Sequence, residues 1–192
     1  MTDQMSVNSR LCDPGRSCLV VIDIQHRLTE AMPAKVVTRL KKNSAMLIRA
    51  ADLLAVPVFV TRQYPEGLGP LAPEIENVLP ENAQQFEKTC FSCIEADNFL
   101  DRLSDTGRRQ IILTGLEAHI CVLQTAVDLT ASGYEVYVVA DAVCSRQREN
   151  YENALQRMRQ SGIIECNTES VLFEWLRDAR HEQFKAISAM VK

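Results

Sequence analysis

The sequence predicts an α/β fold in which one parallel sheet is covered by helices on both faces. Three observations predict it. Apolar runs of strand length alternate with stretches of helical spacing along the chain. The runs "CLVVIDI" (18–24), "RQIILTG" (109–115) and "EVYVVADA" (135–142) each carry consecutive apolar residues without polar alternation, which marks strands buried on both faces. Gly107, Gly133 and Gly162 fall where an element must stop and the chain turn.

The elements follow in order. The first strand is 18–24. Val36, Val37, Leu40, Leu47, Ile48 and Leu54 then recur at helical spacing, so a helix is predicted over 35–55. "PVFVTRQ" (57–63) is the second strand. The stretch "YPEGLGPLAPEIENVLP" (64–80) holds four of the seven prolines, which leaves few backbone donors, and predicts a long loop with one helical turn. "QQFEKT" (84–89) is a weaker third strand, followed by a short helix over 94–104. Strand four is 109–115 and a helix is predicted over 118–132. Strand five is 135–142, with a helix over 147–161. "IIECNT" (163–168) is strand six, and Thr168 or Ser170 is placed to cap a helix running through Leu176. A last helix is predicted over 181–190. No repeat or interdomain linker interrupts the pattern. The expected organisation is one domain over 1–192 with a polar N-terminal arm at 1–16.

Composition narrows the function class. The 192 residues are 46% apolar and 24% charged, with a formal net charge of −4. Interspersed charge of that sign argues against nucleic acid or an anionic membrane as partner. No apolar run approaches the ~20 residues that span a bilayer, and the N-terminus lacks a secretory core. Seven cysteines, an odd number without a disulfide framework, suit a reducing compartment. A cytoplasmic protein is expected.

In a parallel α/β sheet the ligand site lies beyond the carboxyl ends of the strands. Asp23 stands after strand one, inside an apolar run where an unpaired carboxylate is costly to bury. It reads as a turn cap, a general base or a metal ligand. An aspartyl-nucleophile phosphatase would want a second aspartate two residues on, where Gln25 stands. Lys88 lies near the end of strand three; it is either a surface charge or the cation Asp23 needs. Cys121 falls in the first turn of the helix after strand four, where unpaired N–H groups and the helix dipole favour a thiolate. The same spacing fits a core cysteine packed beneath the helix. "CFSC" (90–93) has dithiol spacing. A zinc site would need two more ligands at close spacing, which the other cysteines and His26, His119 and His181 do not supply.

Together these segments resemble the isochorismatase-like cysteine hydrolase superfamily. "VIDIQ", "EKTCFS" and "LTGLEAHICVLQTAVDLTASGYEVYVVADAVCSR" fit the family pattern in order, and the likeness runs from about Ser17 to Lys185. "QYPEGLGP", "GLEAHICV" and "RMRQSG…ESVLF" look most like the isochorismatase domain-containing proteins of unassigned substrate. The resemblance implies a Rossmann-like three-layer sandwich whose six strands are ordered 3-2-1-4-5-6. It implies a catalytic triad of Asp23, Lys88 and Cys121. It also implies a cis peptide between Leu116 and Glu117, and an oxyanion hole formed by the backbone N–H groups of Glu117 and Cys121.

Metal-binding members carry an Asp-x-His and a further histidine. "VTRQYPEG" has neither, so no metal and no cofactor are expected. Members that cleave the vinyl ether of isochorismate need no cysteine nucleophile. An intact Cys121 therefore points to C–N hydrolysis of a small amide, imide or carbamoyl compound through a thioester. Alternatives are vinyl ether hydrolysis, or a binding, scaffolding or thiol-sensing protein on the same fold. His119, Gln25 and Tyr64 are candidates for the substrate pocket, with walls from 26–32, 64–80 and 144–150. Arg146 and Arg148 are candidates for meeting an anionic substrate. The resemblance further implies a homo-oligomer, for which the apolar segments "VLFEWL" and "FKAISAMV" are candidate contacts.

Overall fold

The computed structural model describes residues 10–191. Of the arm expected over 1–16, residues 1–9 lie outside that range. The described part of the arm is anchored: Cys12 is fully buried, and its N–H donates to Glu174 Oε2 at 2.7 Å.

Six parallel strands form one sheet in the order β3-β2-β1-β4-β5-β6, the order expected from the resemblance. They are β1 Ser17–Ile22, β2 Val58–Gln63, β3 Gln84–Lys88, β4 Gln110–Leu116, β5 Glu135–Cys144 and β6 Ile164–Cys166. The helices are α1 His26–Glu30, α2 Ala34–Leu53, α3 Pro65–Leu68, α4 Pro73–Glu76, α5 Phe99–Asp105, α6 Leu123–Ala131, α7 Arg148–Gln160, α8 Thr168–Leu176 and α9 Phe184–Met190. The two-residue period of the strands divides the core. Leu19, Val21, Ile112, Tyr137 and Val139 face α2, α8 and α9, whereas Cys18, Val20, Ile22, Ile111, Leu113 and Val138 face α5, α6 and α7. That double burial is why the strands read as continuous apolar runs.

Several boundaries differ from expectation, each for a local reason. β1 stops at Ile22 because Asp23 takes a left-handed backbone (φ 52°). Residues 26–30, expected as pocket-wall loop, are helical. The proline-rich stretch holds two helical turns, α3 and α4. Each begins on a proline, where the missing N–H is harmless. The helix expected over 94–104 is split into a 3₁₀ turn, Cys93–Glu95, and α5, with Asn98 left-handed (φ 59°) between them. β5 runs two residues further than expected, past a register jump against β4 between Leu113 and Gly115. Neither Thr168 nor Ser170 is the cap of α8. Thr168 is the first helical residue, and its N–H and hydroxyl both donate to Asp141 Oδ1 of β5, at 2.8 and 2.9 Å.

The C-terminal apolar segments serve the core: Val171, Leu172, Trp175, Leu176 and Ile187 are buried, and Phe173 packs edge-on to Phe184. No helix among the described residues is long and apolar enough to cross a membrane.

Candidate active site

The strand order lines up five polar positions toward the carboxyl edge of the sheet: Lys88 ending β3, Thr61 and Gln63 on β2, Asp23 after β1, and Cys121 beyond β4. β1 and β4 meet closely there. A Cβ on Gly115 (φ 126°) would sit 1.9 Å from the Ile22 carbonyl oxygen, so only glycine allows this approach. Asp23 follows Ile22 directly.

Asp23 and Lys88 form a fully buried ion pair, with Lys88 Nζ 2.7 Å from Asp23 Oδ2. Burying two charges costs several kcal/mol per ion unless the geometry and the remaining hydrogen bonds offset it. Here they are well provided. The Thr61 hydroxyl donates to Asp23 Oδ1 at 2.7 Å. The Lys88 ammonium also donates to Gln63 Oε1 at 2.6 Å and approaches the carbonyl oxygens of Phe91 and Cys90 at 3.2 and 3.3 Å. Burial alone would lower the Lys88 pKa. The negative field of Asp23, with contributions from Cys93 and Cys121, overcomes it and raises the value, so the ammonium stays charged.

Cys121 is 5% exposed and lies in a π-helical turn, Ala118–Val122, that precedes α6. Its thiol pKa is pushed up, first by burial and then by the Asp23 carboxylate, which also acts on it as a hydrogen-bond partner; Lys88 pulls the other way. This corrects the expectation of a resting thiolate held down by the helix terminus. Burial and the neighbouring carboxylate outweigh the dipole, so the proton stays on sulfur until something removes it. Asp23, Lys88 and Cys121 are thus mutually coupled groups of one buried cluster. Cys93 belongs to it as well. Its Sγ is 3.8 Å from Thr61 Oγ1, its N–H donates to Thr125 Oγ1 at 2.9 Å, and burial raises its thiol to about 12. The "CFSC" pair therefore contributes one cysteine to the cluster. The structure gives both thiols of that pair as free.

The peptide bond between Leu116 and Glu117 is cis. The Glu117 carboxylate, nearly buried, accepts from the backbone N–H and Nε of Arg146, both at 3.1 Å. Arg148 pairs instead with Glu152 on an exposed face of α7.

The three candidate pocket residues lie apart. Tyr64, half-exposed, lines a cavity of about 370 Å³ together with Glu66, Lys88, Thr89, Cys90 and Asp97. Asp23 and Cys121 are not among that cavity's lining residues. Gln25 is fully buried. Its Nε2 donates to the carbonyl oxygens of Gln63 and Gly69 at 3.0 and 2.8 Å, and its Oε1 accepts from the Gln63 N–H at 2.7 Å. Its side-chain amide is thus engaged with backbone at both ends. His119 makes a 2.9 Å contact from Nδ1 to Ser145 Oγ and borders a separate hollow of about 240 Å³ with Gln124 and Arg157. Among the described residues, no group of three or more His, Cys, Asp or Glu side chains is placed to hold a metal ion.

Thr61 and Gln63 carry no site signal in the sequence, and Cys93 stands out there only as half of the "CFSC" pair. Thr61 and Gln63 alternate along β2 in a run that reads simply as strand, and only the pairing of β2 between β1 and β3 brings them to the ion pair.

Comparison with known proteins bears on this site. The isochorismatase domain family matches residues 17–170. The chain is 38% identical over 180 residues to isochorismatase domain-containing protein 2 of Bos taurus, covering 93% of this chain and 84% of that one. It is 36% identical over 183 residues to isochorismatase family protein 1B of Dictyostelium discoideum, covering 93% and 87%. Among solved structures, a Caenorhabditis elegans protein described as MAR1 ribonuclease superposes with a TM-score of 0.89 at 35% identity, covering 94% of this chain and 92% of that one.

Proposed function

The chain belongs to the isochorismatase family, and on that premise we propose that it is a metal-independent cysteine hydrolase cleaving a C–N bond of a small amide, imide or carbamoyl compound. The observation that carries the reading is the buried Asp23–Lys88 pair, with the Asp23 carboxylate bearing on the thiol of Cys121.

The roles follow from the electrostatics. The thiol is protonated at rest, so it needs a base at the moment of attack, and Asp23 is that base. Asp23 takes the proton as sulfur attacks the carbonyl carbon, and the C=O electron pair moves onto oxygen. Lys88 holds the carboxylate in place and offsets the negative charge that passes between Asp23 and sulfur. The N–H groups of Glu117 and Cys121 hold the oxyanion; one such donor is typically worth ~3 kcal/mol. Collapse breaks the C–N bond, and Asp23 returns the proton to the departing nitrogen. Water then attacks the thioester and gives a proton to Asp23. The C–S bond breaks, and that proton returns to sulfur.

The C. elegans neighbour's description supports a second reading, RNA cleavage. The net charge of −4 and the carboxylates of Glu66 and Asp97 beside Lys88 oppose it, because a phosphate backbone would be repelled. One experiment separates the readings. The purified protein is assayed against a panel of small amides, an activated ester and an RNA oligonucleotide, alongside Cys121→Ala and Cys93→Ala. Amide or ester turnover lost in Cys121→Ala but kept in Cys93→Ala, with an acyl group on Cys121 by mass spectrometry, is the expected result. Normal amide turnover by Cys121→Ala, or RNA cleavage with no acylation, would overturn it.

A further inference from the structure

Gln63 occupies a place in the cluster that the triad does not explain. Its side-chain amide is used at both ends. Oε1 accepts from Lys88 Nζ at 2.6 Å, and Nε2 donates to the Thr89 carbonyl oxygen at 2.6 Å. An amide so held cannot flip without pointing its NH₂ at the ammonium and its oxygen at a carbonyl. Its backbone is clamped in turn by Gln25, through the two contacts at 2.7 and 3.0 Å. β2 and β3 pair Gln63 directly with Lys88 in register. A chain of two buried glutamines therefore runs from the residue two beyond Asp23 back to the amine that Asp23 holds. Lys88 is gripped from both sides: by a charge at Asp23 and by a neutral, orientation-locked oxygen at Gln63.

We propose that Gln63 is a positioning residue that holds the Lys88 ammonium where it serves both Asp23 and Cys121, with Gln25 fixing Gln63 in turn. The proposal rests on the cysteine-hydrolase reading. A neutral acceptor is the residue type this role requires. A second carboxylate there would compete with Asp23 for the ammonium and draw its field away from the sulfur. An apolar residue would remove the short 2.6 Å neutral contact and leave the ammonium, beside Asp23, only the longer contacts to the Phe91 and Cys90 carbonyl oxygens, so that it could shift toward them.

The test uses Gln63→Glu and Gln63→Met. The readout is the second-order rate of iodoacetamide alkylation at Cys121, followed peptide by peptide between pH 7.5 and 9.5 on protein shown folded by circular dichroism. At these pH values the rate tracks the thiolate fraction, so one unit of change in the thiol's pKa reads as a tenfold change in rate. Gln63→Glu is expected to slow alkylation of Cys121 by ~tenfold, with the partly exposed Cys166, on β6 away from the cluster, unchanged. Gln63→Met is expected to slow it in the same direction. A merely structural role would lower the melting temperature of both variants and leave the rate at Cys121 untouched below the transition; that result overturns the proposal. Gln63→Glu preserves size and shape, so it decides the question even if Gln63→Met fails to fold. Alkylation requires no turnover, so a Cys121→Ala protein that hydrolysed normally would refute the nucleophile reading without touching this measurement.

Discussion

Removing both partners of the Asp23–Lys88 pair should cost less stability than the two single removals added together. The two side chains are fully buried and 2.7 Å apart. Lys88→Met deletes the ammonium and leaves the Asp23 carboxylate with only neutral partners, the Thr61 hydroxyl and the Cys121 thiol. An uncompensated buried charge of this kind typically costs ~3–5 kcal/mol. For a chain of this length that is roughly 6–20 °C in Tm, at ~2–4 °C per kcal/mol. Asp23→Asn keeps the shape and suits the left-handed backbone, but strands the ammonium on Gln63 and two carbonyl oxygens. The double variant Asp23→Asn/Lys88→Met holds no buried charge. Its loss should fall short of the sum of the two single losses by more than ~1 kcal/mol. Urea unfolding of the four proteins at pH 7, with m-values compared, measures the cycle. Additivity within ~0.5 kcal/mol would refute the claim that the pair is a coupled buried unit.

Two further outcomes follow from burial and backbone geometry. Burial raises the thiols of Cys93 and Cys144 to about 12, from 9.0 unperturbed. Between those values the folded chain holds protons that the unfolded chain releases, so stability is intact below about pH 9 and falls as pH rises; the two thiols together should remove ~3 kcal/mol between pH 8 and pH 10. Urea unfolding at both pH values checks this, and a Cys93→Ala/Cys144→Ala protein with the same pH loss would contradict it. Gly115→Ala should disrupt the pairing of β1 and β4 at a cost above ~3 kcal/mol, because the new Cβ would meet the Ile22 carbonyl oxygen at 1.9 Å. Gly107→Ala, with nothing within 4 Å of the added carbon and φ 65°, should cost only ~1 kcal/mol. Equal unfolding midpoints for the two variants would show that the close approach is not limiting.

Much of the fold was legible because its signals are local. Strands buried on both faces favour unbroken apolar stretches, so the "LVVI" of "CLVVIDI" and the "IIL" of "RQIILTG" announce themselves. Boundaries were less legible where a single backbone angle sets them. Nothing in "VIDIQ" signals that Asp23 turns left-handed and ends the strand, and nothing in "IEADNF" signals the break at Asn98. The side chain that caps the start of α8 is not legible locally, because it comes from Asp141, 27 residues away in the chain.

The sequence by itself determined the class of sheet, the run of strands and helices, and the three residue types that a family resemblance marks as a site. What the tertiary structure decided is the environment of those residues. It alone sets Thr61 and Gln63 against the ion pair, engages Gln25 in backbone contacts, turns His119 toward Ser145, and keeps the proton on Cys121. The reason is that hydrogen-bond partners and charge fields act over a few ångströms of space. In a parallel sheet, those ångströms separate residues that lie tens of positions apart along the chain.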